Sequence, residues 1–307
     1  MGYSIDLLNL LIVLRRQGNL KSGMSVMEIG AQQLNNNFLA ATAELHEVGR
    51  LFGTERPLSL PSPKRTHIAH GELEHLDAQA PSARDFWLWL GFDYASLDVD
   101  GSPGSIPIDL NFDSVPAKAV GKYQLVTNYG TTEHVANQLN AFKVIHDLTS
   151  VGGLMVHELP AQGHVNHGLV SYNFNFFWTL SRSNGYEVVL ADYRQSPQSY
   201  HLPDNITEFI REINPHHHPN LSDFNISDGS LKLVLQKTYD IPFVPPIDVP
   251  TGAQIGLSAR QKQRYWTVFE PDAFARLTPN ESRAAGRRTR FLHGFLRNNI
   301  LNRLRRS

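Results

Sequence analysis

Seven short apolar runs alternate with helical stretches along most of this chain, and this alternation constrains the fold more than any other feature. The runs are SVMEIG, YASLDVDG, SIPIDLNF, YQLVTNYG, GGLMVHEL, YEVVLADY and LKLVLQKTY, with helical patterns near 34–52, 84–91, 132–150 and 174–184. Strands that alternate with helices form a mostly parallel sheet covered by helices on both faces. We therefore expect an α/β fold. A Pro- and His-rich stretch replaces the helix between the last two runs, so the final pair is expected to include an antiparallel strand.

The segments outside this alternation divide the chain into three parts. Residues 1–23 show the periodicity of an N-terminal helix, and residues 24–240 contain all seven runs. Within the second part, a polar and proline-rich insertion is expected after strand one, at about 53–83, and a lid-like loop at about 195–229. Residues 241–307 are expected to form a linker followed by a basic amphipathic helix.

The composition excludes several classes of chemistry. The 307 residues contain no cysteine, which rules out disulfides, thiolate zinc sites and a cysteine nucleophile, and fits a reducing cytoplasm. The apolar run near the N-terminus has no basic stretch before it and no small-residue cleavage site. It is therefore a poor signal peptide and too short to span a bilayer, and we expect a cytoplasmic protein.

The charge is distributed unevenly along the chain. Eight arginines and no acidic residue lie from Arg283 onward, which leaves 20 basic against 29 acidic residues in the rest of the chain. The tail, residues 287–307, places seven apolar side chains on one helical face, a pattern typical of peripheral membrane helices: Phe291, Leu292, Phe295, Leu296, Ile300, Leu301 and Leu304. The alternatives are a helix docked on the acidic body or a homodimer contact. Nucleic acid is not expected as a partner, because the acidic body would repel phosphates.

Polar residues follow the carboxyl ends of the expected strands, where open α/β sheets bind their ligands. The residues at these ends are Glu28, Gly30 and Gln32 after the first run, Asp98 after the second, Asp109 and Leu110 after the third, and Asn128 after the fourth. Carboxylates accept hydrogen bonds from hydroxyls and amines. The same carboxylates would repel a pyrophosphate, and the phosphate-binding glycines are also missing. A dinucleotide is therefore not the expected ligand.

In their order, these motifs resemble class I S-adenosylmethionine-dependent methyltransferases over roughly residues 24–238. VMEIG is similar to that family's first motif, although the family usually has two or three glycines where this chain has Gly30 followed by Ala31 and Gln32. The resemblance implies a Rossmann-like sheet of seven strands with S-adenosylmethionine as cofactor. It also implies that Asp98 holds the ribose hydroxyls, and that Asp109 and Leu110 recognise the adenine. Since this cofactor has no phosphates, one glycine is sufficient for the turn, and Gln32 offers an amide to the amino-acid end.

Candidate acceptor-site residues lie beyond the fourth and fifth runs. TTEHVANQ supplies Glu133 and His134, with Thr131 or Thr132 as a helix N-cap, and HELPAQGHVNHG supplies His157, His164 and His167. Histidine accepts a proton from a hydroxyl near neutral pH, so His167, His134 and His164 are candidate bases, with Glu133 as orienter or alternative base. His157 alternates with apolar residues and is expected to be structural. Glu133 also has a purely structural interpretation, as an acid that complements the helix dipole.

The histidines also raise the question of a divalent metal. His164 and His167, joined by Glu133 or an aspartate, form a pattern that metal sites use, and residues 216–218 are three consecutive histidines. An H-x-x-H pair in a loop is a weak signal, so a divalent metal is possible but not favoured, and no metal ligand is assigned.

Together these features predict methyl transfer from S-adenosylmethionine to a hydroxyl of a small-molecule or glycan acceptor. The glycan class follows from the resemblance and not from any residue. Two other functions remain open. One is a non-catalytic cofactor-binding or scaffold protein recruited by its basic tail. The other is an enzyme that binds the same cofactor for chemistry other than methylation.

Overall fold

The computed structural model describes most of the chain, namely residues 2–54, 56–60, 81–99, 104–164, 167–200, 226–249, 256–270 and 272–277, with side chains omitted at 196–200 and 226–227. Most of the expected insertion, most of the expected lid-like loop, the three consecutive histidines and the basic tail at 287–307 lie outside the described residues.

Seven strands form one sheet: β1 Ser25–Ile29, β2 Asp93–Asp98, β3 Ser105–Pro107, β4 Tyr123–Tyr129, β5 Thr149–Pro160, β6 Glu187–Tyr200 and β7 Ile226–Gln236. Their order across the sheet is β3-β2-β1-β4-β5-β7-β6. The first five strands pair in parallel, while β7 runs antiparallel to both of its neighbours. This confirms the α/β, Rossmann-like fold expected from the sequence, including the antiparallel strand in the last pair.

The helices are α1 Ile5–Arg16, α2 Asn36–Ala40, α3 Thr42–Phe52, α4 Ala83–Trp89, α5 Gln138–Leu148, α6 Phe174–Asn184, α7 Ala259–Arg264 and α8 Trp266–Phe269. Asparagine begins three of them, because its side-chain oxygen accepts an otherwise unpaired amide of the first turn. Asn35 caps α2, Asn137 caps α5 and Asn173 caps α6. Among the described residues, no helix is long and apolar enough to cross a membrane.

Two hydrophobic clusters, one on each face, hold the sheet between its helices. One contains the buried side of α5 and α6, including Phe142 and Phe177. The other contains α1 and α4, including the fully buried Trp87. All five residues of β1 are buried, since the strand lies in the middle of a sheet that is covered on both faces.

The segment after β4 differs from its expectation. A single helix was expected over 132–150, but the chain first makes one short 3-10 turn, Thr132–His134, and α5 begins only at Gln138. Neither Thr131 nor Thr132 caps a helix. The Thr131 hydroxyl donates instead to the Ile29 carbonyl at 2.7 Å, because the turn packs against the end of β1. This break leaves two consecutive residues, Glu133 and His134, at the edge of the sheet.

Parts of two segments expected to be loop or linker belong to the sheet or pack against a helix. β6 and β7 continue as paired strands to Tyr200 and Ile226, inside the expected lid-like loop. In the expected linker, Ile241 and Val244 are buried, and Arg182 of α6 donates to two carbonyls of the 247–249 segment. The part of 241–249 that follows β7 therefore packs on α6.

Candidate functional site

The turn after β1 depends on Gly30, which has a φ of +76°. A residue with a Cβ is strained in that conformation. The space above it is also taken, because a Cβ atom at residue 30 would overlap the Thr131 hydroxyl. The Gly30 amide donates to the Leu97 carbonyl at 2.9 Å. The turn is therefore held between β2 on one side and the segment after β4 on the other.

Glu28 lies beneath this turn and is fully buried. Its carboxylate accepts hydrogen bonds from Trp87 Nε1 at 2.8 Å, from the Tyr94 hydroxyl at 2.7 Å and from the Gln32 amide at 3.1 Å. Burial raises the pKa of Glu28 above its ordinary value, while these donors oppose the shift. The sequence placed Glu28 among the cofactor-binding residues, but both of its oxygens are used inside the protein. Its position suits it to shaping the turn from below.

Gln32 presents a different arrangement. Its side-chain amide nitrogen donates to the Gly30 carbonyl at 3.2 Å and lies 3.4 Å from the Thr131 hydroxyl. Its side-chain oxygen is buried and receives no hydrogen bond from any residue within the described ranges. A buried acceptor without a donor is uncommon in proteins and often marks a ligand position. The oxygen is suited to a ligand that brings an ammonium or another N–H donor.

Asp98 and Asp109 follow neighbouring strands, as expected, but they are engaged differently. Asp98 Oδ2 accepts from the Ala31 amide at 2.9 Å, which ties the end of β2 to the Gly30 turn. Asp109 Oδ1 accepts from the Asn111 amide at 2.8 Å and so closes its own turn. Both aspartates are partly exposed, whereas Leu110 is buried.

Asn128 is fully buried at the end of β4. Its amide nitrogen lies 2.9 Å from the Thr132 hydroxyl and 3.2 Å from His157 Nδ1, and its oxygen accepts from the Thr132 amide. The Tyr172 hydroxyl donates to the same Thr132 oxygen at 2.9 Å. Burial lowers the pKa of His157 to about 3, which agrees with its expected structural role. Asn128 is thus enclosed in a buried network that supports the 3-10 turn.

Glu133, His134 and His167 converge at this turn, next to the ends of β4 and β5. Glu133 Oε1 lies 3.9 Å from His134 Nε2 and 3.7 Å from His167 Nε2. One ligand atom from each side chain falls within 4.8 Å of the other two. We call this group the rim cluster. It unites three of the four expected catalytic residues, two of them neighbours in the chain and the third from the loop after β5.

Glu133 also fixes the loop that carries His167. Its backbone carbonyl accepts from the amides of Leu169 and Val170 at 2.8 and 3.1 Å. Gly168 allows this close approach, since a Cβ there would lie 3.0 Å from Glu133 Cγ and 3.1 Å from the Glu133 carbonyl oxygen. The same residue therefore supplies a carboxylate to the rim cluster and the backbone acceptor that holds its histidine partner.

His164 lies beside the rim cluster, with its ring centre 5.5 Å from that of His167. The φ of His164 is +47°, and its backbone amide donates a hydrogen bond to Asp228 Oδ1 at 2.6 Å. Asp228 Oδ2 lies 3.8 Å from His164 Nδ1. Burial lowers the pKa of His164, and the negative charge of Asp228 opposes that shift. Sequence reasoning missed Asp228 because it lies on β7, far along the chain and without a local motif.

The sequence matches no protein-family model and no curated protein. Several solved structures are similar to it. Phosphoethanolamine N-methyltransferase 2 of Haemonchus contortus, in complex with S-adenosyl-L-methionine, is 11% identical with a TM-score of 0.36, and the match covers 74% of this chain and 52% of that one. A putative methyltransferase from Bacillus halodurans is 9% identical with a TM-score of 0.38, over 74% of this chain and 98% of that one.

A third similar structure is the 1,6-didemethyltoxoflavin-N1-methyltransferase of Burkholderia thailandensis with bound 1,6-didemethyltoxoflavin and S-adenosylhomocysteine. It is 10% identical with a TM-score of 0.38, over 76% of this chain and 78% of that one. The chain spans about half of the length of the Haemonchus protein and nearly all of the Bacillus protein. At such low identity, the activity of this chain has to be argued from its own residues.

Proposed function

We propose that this protein transfers a methyl group from S-adenosylmethionine to a hydroxyl of a small-molecule or glycan acceptor. The observation that carries the proposal is that two sets of side chains meet at one edge of the sheet. Gln32 and Asp98 border the Gly30 turn, and the rim cluster follows the next strand along the sheet, β4. The first set suits the cofactor, and the second suits the hydroxyl that attacks it.

The residues around the Gly30 turn fit the parts of the cofactor. The unpaired side-chain oxygen of Gln32 is an acceptor for the ammonium of its amino-acid end. Asp98, at the end of β2, would accept hydrogen bonds from the ribose hydroxyls, and Asp109 and Leu110 would contact the adenine. Glu28 and Asn128 are enclosed, and we infer that they support the turns on either side of the cofactor without touching it.

When bound, the cofactor supplies a methyl group attached to a sulfonium. The sulfur is a good leaving group, because it becomes a neutral thioether when the methyl group is transferred. Transfer forms one O–C bond, breaks the C–S bond with its electron pair staying on sulfur, and releases the hydroxyl proton. The chain has to align the hydroxyl and provide for that proton. The imidazoles of His134 and His167 lie at the partly exposed side of the buried Glu133 carboxylate, and we infer that the acceptor hydroxyl is activated there.

Calorimetry with S-adenosylmethionine and S-adenosylhomocysteine tests the proposal. We expect micromolar dissociation constants, equivalent to about 8 kcal/mol of binding free energy. NAD is the control ligand and should not bind. The carboxylates at the strand ends would repel its pyrophosphate, and one glycine does not form a phosphate-binding loop. Folded protein that gives no heat with either adenosyl ligand would refute the proposal. Methyl transfer is then measured with radiolabelled cofactor and a panel of polyols and glycans.

A second candidate is a cofactor-binding or scaffold protein without catalysis, and it is favoured by the first motif, which keeps Gly30 but has Ala31 and Gln32 where further glycines are usual. It predicts adenosyl-ligand binding without methyl transfer to any acceptor. For either function we propose a cytoplasmic location, with residues 287–307 as a peripheral membrane contact.

A further inference from the structure

We propose that the rim cluster, Glu133, His134 and His167, binds one divalent transition-metal cation. Its three ligand atoms lie within 4.8 Å of one another and come from a carboxylate and two imidazoles. The binding site is inferred from these side chains alone. The role of the cation in activating the acceptor hydroxyl rests on the proposed methyl transfer.

The Glu133 carboxylate supplies the first reason. Its side chain has no exposed surface, and neither of its oxygens receives a hydrogen bond from any residue that the structure describes. A buried carboxylate is very unfavourable unless hydrogen bonds or a cation compensate its charge. The Nε2 atom of His167 also has no hydrogen-bond partner within the described ranges and lies toward the same carboxylate. A cation between the Glu133 carboxylate and the His167 imidazole would therefore satisfy both groups at once.

The geometry is compatible with a cation after a small closure. Zinc lies about 2.0–2.2 Å from imidazole nitrogens and carboxylate oxygens, so tetrahedral ligand atoms are separated by about 3.4 Å. The distances from Glu133 Oε1 to the two Nε2 atoms are 3.7 and 3.9 Å. The His134 side chain is 49% exposed and can move inward, while His167 is held by the backbone contacts of its loop.

The ligand types select the class of cation. Two imidazoles and one carboxylate suit Zn²⁺, Mn²⁺, Fe²⁺ or Co²⁺, whereas Mg²⁺ and Ca²⁺ prefer oxygen ligands only. Three protein ligands leave an open coordination position, as in catalytic zinc sites. The exposure of His134 places that position toward solvent, where an acceptor hydroxyl can reach it.

A hydroxyl at the open position would lose its proton more readily, because a bound cation stabilises the alkoxide. The methyl group would bond to this oxygen as its C–S bond breaks with the electron pair left on sulfur, and the hydroxyl proton would pass to solvent. In this arrangement His134 and His167 act as ligands, so the cation takes over the activation of the hydroxyl.

Calorimetry on the full chain tests the site, after treatment with a chelator and dialysis. Alanines at residues 216–218 provide the background protein, because three consecutive histidines bind metal adventitiously. Titration with ZnCl2 and MnCl2 should show one equivalent of bound cation. His134→Ala and Glu133→Gln should lower the affinity at least about 100-fold, while His164→Ala, in the same loop as His167, should change it less than about threefold. The absorption spectrum of added Co²⁺ should indicate nitrogen and oxygen ligands.

The outcomes separate this site from the proposed function. Half-exposed His134 can be replaced without opening the core, so its variant reports on the cation even if Glu133→Gln fails to fold. Absence of a bound equivalent, or equal affinity in His134→Ala, overturns the cation site. S-adenosylhomocysteine affinity is measured on the same proteins and should be nearly unchanged in His134→Ala. If the background protein binds the cation but does not bind S-adenosylhomocysteine, the cation site stands and the proposed methyl transfer is refuted.

Discussion

Thr131 packs directly over Gly30 and joins the turn after β1 to the turn after β4. Its hydroxyl donates to the Ile29 carbonyl at 2.7 Å and also lies 3.4 Å from the side-chain nitrogen of Gln32. The positive φ of Gly30 and the position of Thr131 explain why one glycine is required here. Because Thr131 precedes Glu133 by two residues, the same contact connects the expected cofactor turn to the rim cluster.

Replacing Gly30 by alanine should destabilise the protein through both strain and overlap. The positive φ costs about 1–2 kcal/mol for any L-residue, and the overlap with Thr131 adds about 1–3 kcal/mol. Gly23→Ala is the matched control, since Gly23 has a φ of +80° with open space around its missing Cβ. Urea unfolding should show the larger loss for Gly30→Ala. Equal losses would mean that Thr131 moves aside without cost.

Asp98→Ala is expected to weaken S-adenosylhomocysteine binding at least about tenfold, because it removes charge-assisted hydrogen bonds to the ribose. Asp98→Asn keeps an acceptor for the Ala31 amide but loses the charge. It therefore distinguishes the role of Asp98 in holding the Gly30 turn from its role in binding the ribose. Exposed Asp93, at the other end of β2, provides the control variant. Unchanged calorimetric affinity in both Asp98 variants would show that the aspartate serves the turn alone.

Alanine at His134 or His167 should lower turnover by about 10²–10⁴-fold, because each change removes a group that activates the acceptor hydroxyl. Both imidazoles lie against Glu133 in the rim cluster, which follows β4 and not β1, so cofactor affinity should remain nearly intact. Single-turnover methylation and calorimetry on the same variants measure the two effects. Near-normal turnover in both variants would mean that catalysis depends on alignment alone.

His146 should make the protein less stable in mild acid. Burial, followed by the nearby charge of Lys237, lowers the pKa of His146 to about 4. The neutral ring is held by Tyr186 at 2.5 Å and the Ile241 carbonyl at 2.8 Å. The unfolded chain binds a proton near pH 6.5, whereas the folded chain does so only near pH 4, so this residue's contribution is complete above pH 6.5 and is lost as the pH falls toward 4.

Between pH 7.5 and 5 this loss amounts to about 2 kcal/mol in the free energy of unfolding. Urea unfolding of the natural chain and of His146→Gln at both pH values measures it, since other titrating groups cancel in the difference. The destabilisation caused by His146→Gln should shrink by that amount at pH 5. A difference independent of pH would show that His146 titrates normally in the folded protein.

Deletion of residues 287–307 should abolish binding to anionic vesicles and leave cofactor affinity unchanged. The apolar face of this segment would insert into the lipid, while its arginines contribute about 1 kcal/mol each near an anionic surface. Co-sedimentation with phosphatidylserine vesicles at low salt measures the binding, and neutral vesicles are the control. Full-length protein that stays in solution with both would favour a helix docked on the acidic body or a dimer contact.

The sequence by itself determined the sheet and the residues at its edge. Apolar runs and helical periodicity are local patterns, and they predict the α/β class, the antiparallel member of the last pair and the strand ends that carry Gly30, Asp98 and Asp109. His157 could also be assigned a structural role, because it lies among apolar residues such as Val156 and Leu159. These conclusions needed only the periodicity of strands and the fact that parallel strands end at a common edge.

Only the tertiary structure decided which of those residues remain accessible and which meet. Glu28 and Asn128 lie near the ends of their strands as expected, yet both are buried against partners distant in the chain, Trp87 for Glu28 and His157 for Asn128. His167 reaches Glu133 because Gly168 lets the loop after β5 bind the Glu133 carbonyl. Periodicity carries no information about such contacts between loops, since burial and pairing depend on how separate crossovers pack over the same edge of the sheet.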